Sequence, residues 1–175
     1  MAFGSGGRAA ALLACLAAGA TAAGPSIQRS IDHLRLGMAL TQVRWLLPPS
    51  QPWPSYIEPG GQIRRFRAES RYIKRPNPKV DTTWLGFKDG RLVDIQFIYA
   101  KAYGRLHPAD NLAADWALIY GEPRRTSDGQ YWWSDGRTAM GIFYAEIPIL
   151  KDGRQAVELR TSLRLMDADL LRTPD

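Results

Sequence analysis

The stretch TWLGFKDGRLVDIQFIY, which runs from Thr83 to Tyr99, decides the fold that we expect. Two runs rich in aromatic and β-branched residues flank Lys88-Asp89-Gly90, and an Asp-Gly pair between such runs is typical of a β-hairpin turn. From Leu92 to Phe97 two residue sets alternate, Leu-Asp-Gln against Val-Ile-Phe, as in a strand with one buried face. The stretch therefore predicts an antiparallel hairpin.

The same plan recurs further along the chain. The segment from Tyr131 to Ala145 has Asp135-Gly136 between two strand-like runs. A third turn of the same kind, Lys151-Asp152-Gly153-Arg154, leads into a run from Val157 to Leu165. We expect each of the three Asp-Gly turns to join antiparallel strands.

Short helices are expected before the hairpins. The apolar residues that share a helix face are Leu40, Val43, Leu46 and Leu47 in the first helix, and Leu112, Trp116 and Ile119 in the second. Pro48-Pro49 ends the first helix, because proline cannot continue one. The second is expected from about Pro108 to Tyr120, with Gly121 as its C-cap.

Together these elements predict an α+β fold built from two related units, about residues 31–103 and 104–170. Each unit would be a short helix with an antiparallel hairpin, and the helices would pack on the sheet. Phe87-Lys88-Asp89-Gly90-Arg91 and Trp133-Ser134-Asp135-Gly136-Arg137 match at an offset of 46 residues, which favours a duplication. The alternative is chance, since Asp-Gly is a common hairpin turn.

The first 22 residues predict a secretory signal peptide. Met1 to Arg8 carry one positive charge and no acid, Ala9 to Ala18 are apolar, and Ala20-Thr21-Ala22 forms a small-residue cleavage site. Cleavage after Ala22 would leave residues 23–175 as one exported domain in the periplasm. The apolar run is too short for a membrane-spanning helix, and we expect no transmembrane segment in the mature chain.

Cys15 suggests an alternative destination. Leu12-Leu13-Ala14-Cys15 resembles a lipobox, in which the cysteine is acylated and anchors an outer-membrane lipoprotein. Cys15 is also the only cysteine of the chain, so cleavage after Ala22 would leave none. That would exclude disulfides, thiolate nucleophiles and cysteine-based metal sites from the mature protein.

The segment from Leu36 to Pro48, LGMALTQVRWLLP, resembles the opening of the SmpA/OmlA (BamE-like) envelope domain. Leu118 to Pro123 matches the helix end of the same family, and its tandem use is similar to the β-lactamase-inhibitor-protein architecture. The chain departs from the pattern at Ala39, where a capping Ser or Thr is expected, and at Leu47-Pro48-Pro49. The resemblance implies a non-catalytic envelope domain that docks on another protein, as an assembly factor or an inhibitor does.

Residues suited to catalysis are sparse. His33 and His107 are the only histidines, and neither has the spacing of a metal site. No serine elbow or phosphate-binding loop occurs. The acids, Asp94 among them, are interpreted as turn or solvent-face residues. We therefore expect no cofactor and no metal, although carboxylates that converge in the fold would still allow a small periplasmic enzyme.

One basic segment stands out in a chain whose net charge is +6. Its positive residues are Arg64, Arg65, Arg67, Arg71, Lys74, Arg75 and Lys79, and its one acid is Glu69. Alternation with Phe66 and Ala68 predicts a strand that turns its arginines outward. This strand is either a charged edge that prevents aggregation, or a docking surface for an acidic protein, anionic lipid, lipopolysaccharide or glycan. Export makes nucleic acid an unexpected partner.

Trp53 and Tyr56 precede the basic segment in a loop rich in proline and glycine. The two rings are either a lid on the core or an exposed contact beside the arginines, the composition of an interaction hot spot. The candidate binding residues are Arg64, Arg65, Arg67, Arg71, Lys74, Arg75, Trp53 and Tyr56. A periplasmic module that binds an envelope protein is the function expected from the sequence.

Overall fold

The computed structural model describes residues 25–59 and 61–171. The predicted signal peptide, its cleavage site and Cys15 lie outside the described residues.

Strands dominate this part of the chain. The strands are β1 (Ser30–Ile31), β2 (Leu34–Arg35), β3 (Ser55–Ile57), β4 (Arg64–Glu69), β5 (Val80–Lys88), β6 (Arg91–Tyr99), β7 (Arg124–Arg125), β8 (Tyr131–Ser134), β9 (Thr138–Lys151) and β10 (Arg154–Asp167). The helices are α1 (Leu40–Leu46), α2 (Lys101–Leu106), α3 (Ala109–Tyr120) and α4 (Ala168–Leu171), with one 3-10 turn at Ser70–Tyr72.

Eight strands form one antiparallel sheet in the order β3-β4-β5-β6-β10-β9-β8-β7, and β1 pairs with β2 separately. Each half of the chain supplies four consecutive strands, and the halves meet where β6 pairs with β10. The predicted fold class, α+β with two helix-plus-hairpin units and helices packed on a sheet, is wrong. Strand residues make up 47% and helical residues 22%, and the helices are small. The prediction failed because β3 and β7, which it left as loops, and β4, which it placed in no hairpin unit, all join one continuous sheet.

The three predicted Asp-Gly turns are confirmed. Asp89-Gly90 joins β5 to β6, Asp135-Gly136 joins β8 to β9, and Asp152-Gly153 joins β9 to β10. The identical sequences at 88–91 and 151–154 also share a conformation, with φ of 48° and 52° at Asp and 75° at both glycines, as a type I′ turn requires. These two turns hold equivalent places in the two halves. The offset of 46 residues instead relates the β5–β6 turn to the β8–β9 turn, and these two turns hold different places in the two halves.

The hydrophobic core lies against one face of the sheet, which we call the core face. A row of side chains paired in register crosses this face: Phe66, Leu85, Ile95, Leu165 and Met140. All of them are buried. Because side chains alternate along a strand, the neighbours of each of these residues point to the opposite face.

The helices contribute few fully buried residues to this core and do not form a continuous layer. Val43 is the buried residue of α1, and Ala109 and Ala113 are those of α3. The predicted apolar face of α3 is therefore wrong at Ile119, which is exposed. The predicted end of α3 is confirmed, since the helix stops at Tyr120 and Gly121 follows with a φ of 80°.

Candidate docking face

The face of the sheet opposite the core carries a different set of side chains, and we call it the open face. Its central row is paired in register across six strands and consists of Arg67, Trp84, Gln96, Arg164, Gly141 and Trp132. Helices α2 and α3 contact the core face: Gly104 of α2 lies against Thr161, and the Ala109 N–H of α3 donates to the Tyr144 hydroxyl. Neither contact involves a side chain of the central row.

Asp94 lies on the open face between two arginines. Arg164 donates to its carboxylate through Nη2 at 2.6 Å and Nε at 3.0 Å, and Arg65 donates through its own Nη2. Asp94 is 0% exposed, so its interpretation as a turn or solvent-face residue is wrong. Gly86 opposes it on β5, where a Cβ would lie 3.0 Å from the Asp94 Cβ. Because Gly86 has no Cβ, space remains for the Asp94 carboxylate and the two guanidinium groups that contact it.

Arg65 is held by two acids, because it also donates to Glu58. Burial acts to lower the pKa of the Arg65 guanidinium, but Asp94 and Glu58 outweigh burial and raise it above its ordinary value. Arg65 is only 8% exposed. The expectation that this arginine faces solvent is therefore wrong, since the acids on β6 and in the β3–β4 connection cover it.

Two further carboxylates each lie between two cations. Glu69 pairs with Arg67 at 3.2 Å and with Arg71 at 2.6 Å. On the part of β10 that extends beyond its pairing with β6, Glu158 pairs with Lys101 at 2.5 Å and with Arg160 at 2.9 Å. The Lys101 and Arg160 side chains lower the pKa of Glu158 below its ordinary value. Ion pairs thus recur along the open face.

Aromatic rings lie near both ends of the central row. Trp84 meets Tyr56 edge-on, with ring centroids 6.0 Å apart, and the Arg67 guanidinium carbon lies 5.7 Å from the Trp84 ring centroid. At the other end, Trp132 lies across Gly141, where a Cβ would come within 2.7 Å of the indole. Only glycine leaves space for the ring at this position.

A cleft of about 650 Å³ adjoins the open face at Trp132 and also reaches the core residues Ile27 and Trp133. Its walls include Trp132, Met166, Ala139 and Tyr120, with Glu122 and Arg124 also among the lining residues. The cleft places an apolar recess beside the row of aromatic and arginine side chains.

The structure separates the predicted basic binding residues into three groups, of which the buried Arg65, paired with Asp94 and Glu58, is the first. Arg64, Lys74 and Arg75 are exposed and pair with no acid among the described residues. Arg67 and Arg71 share Glu69 at the edge of the open face. The basic segment is therefore not one free patch of seven cations.

The two predicted loop aromatics have opposite environments. Trp53 is 6% exposed, belongs to the core cluster and donates through Nε1 to the Tyr72 carbonyl at 3.3 Å. It is a lid residue, so its prediction as a contact residue is wrong. Tyr56 is 49% exposed and borders the open face through Trp84. Of the pair, only Tyr56 is placed to meet a partner.

The sequence did not reveal the centre of the open face. Trp84, Gln96, Arg164 and Trp132 lie on four strands, and only the pairing register brings them together. One signal was present: Asp94 stands between Val93 and Ile95 in a strand-like run, a position where a buried charge needs a partner.

No family model, curated protein or solved structure matches this chain. Within residues 25–59 and 61–171, no helix is long and apolar enough to cross a membrane. The same part of the chain has no group of three or more His, Cys, Asp or Glu side chains able to hold a metal ion.

Proposed function

We propose that this chain is an exported, non-catalytic envelope protein of the SmpA/OmlA-like type that docks on another envelope protein through its open face. The observation that carries the proposal is the central row, in which Arg67, Trp84, Arg164 and Trp132 lie in register on one face. Tryptophan, tyrosine and arginine are the residues that dominate binding energy at protein interfaces.

The size of the face supports a protein partner. The six strands of the central row, at ~4.8 Å each, cover about 29 Å, and three residue rows, at ~7 Å each, cover about 20 Å in the other direction. The resulting area of about 600 Å² is comparable with the ~800 Å² that each partner contributes to a standard interface. A small ligand would cover only part of it.

The compartment is the part of the proposal that rests on the sequence alone. The basic start, the apolar run and Ala20-Thr21-Ala22 favour export to the periplasm, with Cys15 as the anchor of an outer-membrane lipoprotein in the alternative. Mass spectrometry of the protein recovered from the envelope is expected to find Ala23 as the first residue. A diacylglyceryl-modified Cys15 would establish the lipoprotein form instead.

The basic segment from Arg64 to Lys79 gives less support to an anionic lipid or glycan as the partner. Arg65 is buried, and Arg67 and Arg71 share the carboxylate of Glu69. Three of the seven cations are therefore engaged within the protein. Of these three, only Arg67 belongs to the central row of the open face, so the segment does not present one continuous site for lipid headgroups.

A photo-crosslinking experiment tests the docking face. The aromatic photo-crosslinker p-benzoylphenylalanine replaces Tyr56, which borders the open face, or Leu118, which is 88% exposed on α3. Irradiation of cells is expected to give one discrete protein adduct from position 56 and none from position 118. Adding Trp84→Ala is expected to abolish the adduct, because the Trp84 ring is a proposed anchor of the interface.

The matched positions make the result decisive. Equal adducts from positions 56 and 118 would mean indiscriminate collision, and no adduct from position 56 would contradict docking by this face. An adduct that survives Trp84→Ala unchanged would place the contact on Tyr56 and the sheet edge instead.

A further inference from the structure

The open face and its border carry more cations than acids. The ion-paired cations are Arg65, Arg67, Arg71, Lys101, Arg160 and Arg164, and the acids that they contact are Glu58, Glu69, Asp94 and Glu158. The six positive and four negative charges leave a net charge of +2. This excess attracts acidic groups towards the face.

Arg67 and Arg164 also keep donors that no acceptor in the described residues occupies. Arg67 contacts Glu69 through Nε at 3.2 Å, and its side chain is 46% exposed, so the outer edge of its guanidinium group is open to a further acceptor. Arg164 engages Asp94 through Nε and Nη2 and leaves Nη1 available. Guanidinium N–H groups bind carboxylates with strong, charge-assisted hydrogen bonds.

The spacing of these two arginines defines what could bind both. They occupy the same row on β4 and β10, with Trp84 of β5 and Gln96 of β6 between them. Three strand spacings of ~4.8 Å separate them by about 14 Å. An extended chain rises ~3.4 Å per residue, so two carboxylates four residues apart span a similar distance.

We infer that the partner docks an extended acidic segment, in which two carboxylates four residues apart flank an apolar residue. The carboxylates bind Arg67 and Arg164, and the apolar side chain packs on Trp84 between them. This inference rests on the proposed function, because it specifies the chemistry of the partner that the open face receives. A partner segment with lysine or arginine at these positions would be repelled by the same two arginines.

Peptide binding tests the inference. The probe is a biotinylated peptide that contains Glu-Ser-Leu-Ser-Glu, and its counterpart has Gln in place of both Glu. Each exposed ion pair contributes up to about fivefold in affinity, so at low salt the Glu peptide is expected to bind about tenfold more tightly than the Gln peptide. The difference is expected to shrink in ~1 M salt, where charges are screened beyond ~3 Å.

Two matched variants locate the peptide on the face. Arg67→Gln removes a proposed ligand while Glu69 keeps Arg71 as its partner. Arg75→Gln removes the same charge from an exposed residue that makes no ion pair among the described residues. Arg67→Gln is expected to weaken binding of the Glu peptide about fivefold, and Arg75→Gln less than twofold. Unfolding curves of both variants establish that each is folded.

Several results would overturn the inference. They are no binding of the Glu peptide at low salt, equal binding of the Glu and Gln peptides, and equal losses in Arg67→Gln and Arg75→Gln. The proposed function has a separate test in the crosslink from position 56. A crosslinked partner whose contact segment lacks acids would keep the docking function and reject the acidic segment.

Discussion

The two faces of the sheet are built from the same strands but are stabilised by different interactions. On the core face, Leu85 and Ile95 are apolar and fully buried. On the open face, one residue along each strand, Trp84 is half-buried and Asp94 is fully buried between arginines. The comparison shows that burial alone does not identify the core side of a sheet.

The difference matters because the two kinds of burial respond differently to mutation. An apolar side chain removed from the core leaves a cavity whose cost depends on how far the surroundings relax. An acid removed from a buried ion pair leaves an uncompensated charge, which is costly even where no cavity forms. On the core face, the loss of stability should therefore grow with the volume of the side chain that is removed. On the open face, the largest loss should occur at Asp94.

The largest effect is expected for Asp94→Ala. Among the described residues, loss of the carboxylate leaves the buried Arg65 with Glu58 alone and Arg164 with no acceptor, which costs about 3–5 kcal/mol of unfolding free energy. Urea unfolding measures the loss. Asp81→Ala, which removes an exposed acid from the same hairpin, is the control and is expected to change stability by less than about 0.5 kcal/mol.

A double variant sharpens this prediction. Arg65→Met combined with Asp94→Leu removes the buried ion pair, and apolar pairs can replace such pairs at little cost. The side chains that lose their partners, Arg164 and Glu58, are 26% and 28% exposed, so water can solvate them and part of the loss should be recovered. A loss near zero for Asp94→Ala alone would mean that water reaches Arg65, contrary to its burial.

A smaller difference is expected between adjacent residues of β5. Leu85→Ala should cost about 2–5 kcal/mol, because Leu85 is fully buried in the core. Trp84→Ala removes contacts with Tyr56 and Arg67 on the open face and should cost about 0.5–1.5 kcal/mol. Urea unfolding of the two variants measures both losses. A larger loss for Trp84→Ala would contradict the assignment of its face.

The features that the sequence predicted correctly are local. Asp-Gly turns and the Gly121 helix end follow from backbone preferences of a few adjacent residues, so the sequence reveals them. Strands β3 and β7 have only three and two residues, too few to show a period. Their presence depends on pairing with β4 and β8, which is a tertiary interaction.

The open face could not be predicted, because its residues converge from distant strands. The burial of Arg65 depends on Asp94, 29 residues away, and Asp94 depends in turn on Arg164, 70 residues away. A strand with alternating arginines is compatible with a solvent face or with buried ion pairs, and only the neighbouring strands decide between them. The correct alternation of Arg65 and Phe66 therefore led to the wrong environment for Arg65.

The smallest effect is expected at Glu158, on the part of β10 that extends beyond its pairing with β6. Lys101 and Arg160 lower the pKa of its carboxyl below the ordinary 4.5. A lowered folded-state pKa stabilises the protein above pH 4.5, and this contribution is lost as the pH falls through the folded-state value. Glu158→Gln should therefore be slightly less stable than the parent at pH 7, and the two unfolding midpoints should converge below pH 4.5.

Thermal unfolding between pH 3 and pH 7 measures this convergence. Glu146→Gln is the control, because Glu146 is exposed and has no ion pair among the described residues. Its difference from the parent should stay nearly constant over the same range. The effect at Glu158 should also fade in ~1 M salt, since charges close to solvent are screened there. A difference that is independent of both pH and salt would mean that Glu158 acts through packing, and that ion pairs do not extend along the open face to this end of β10.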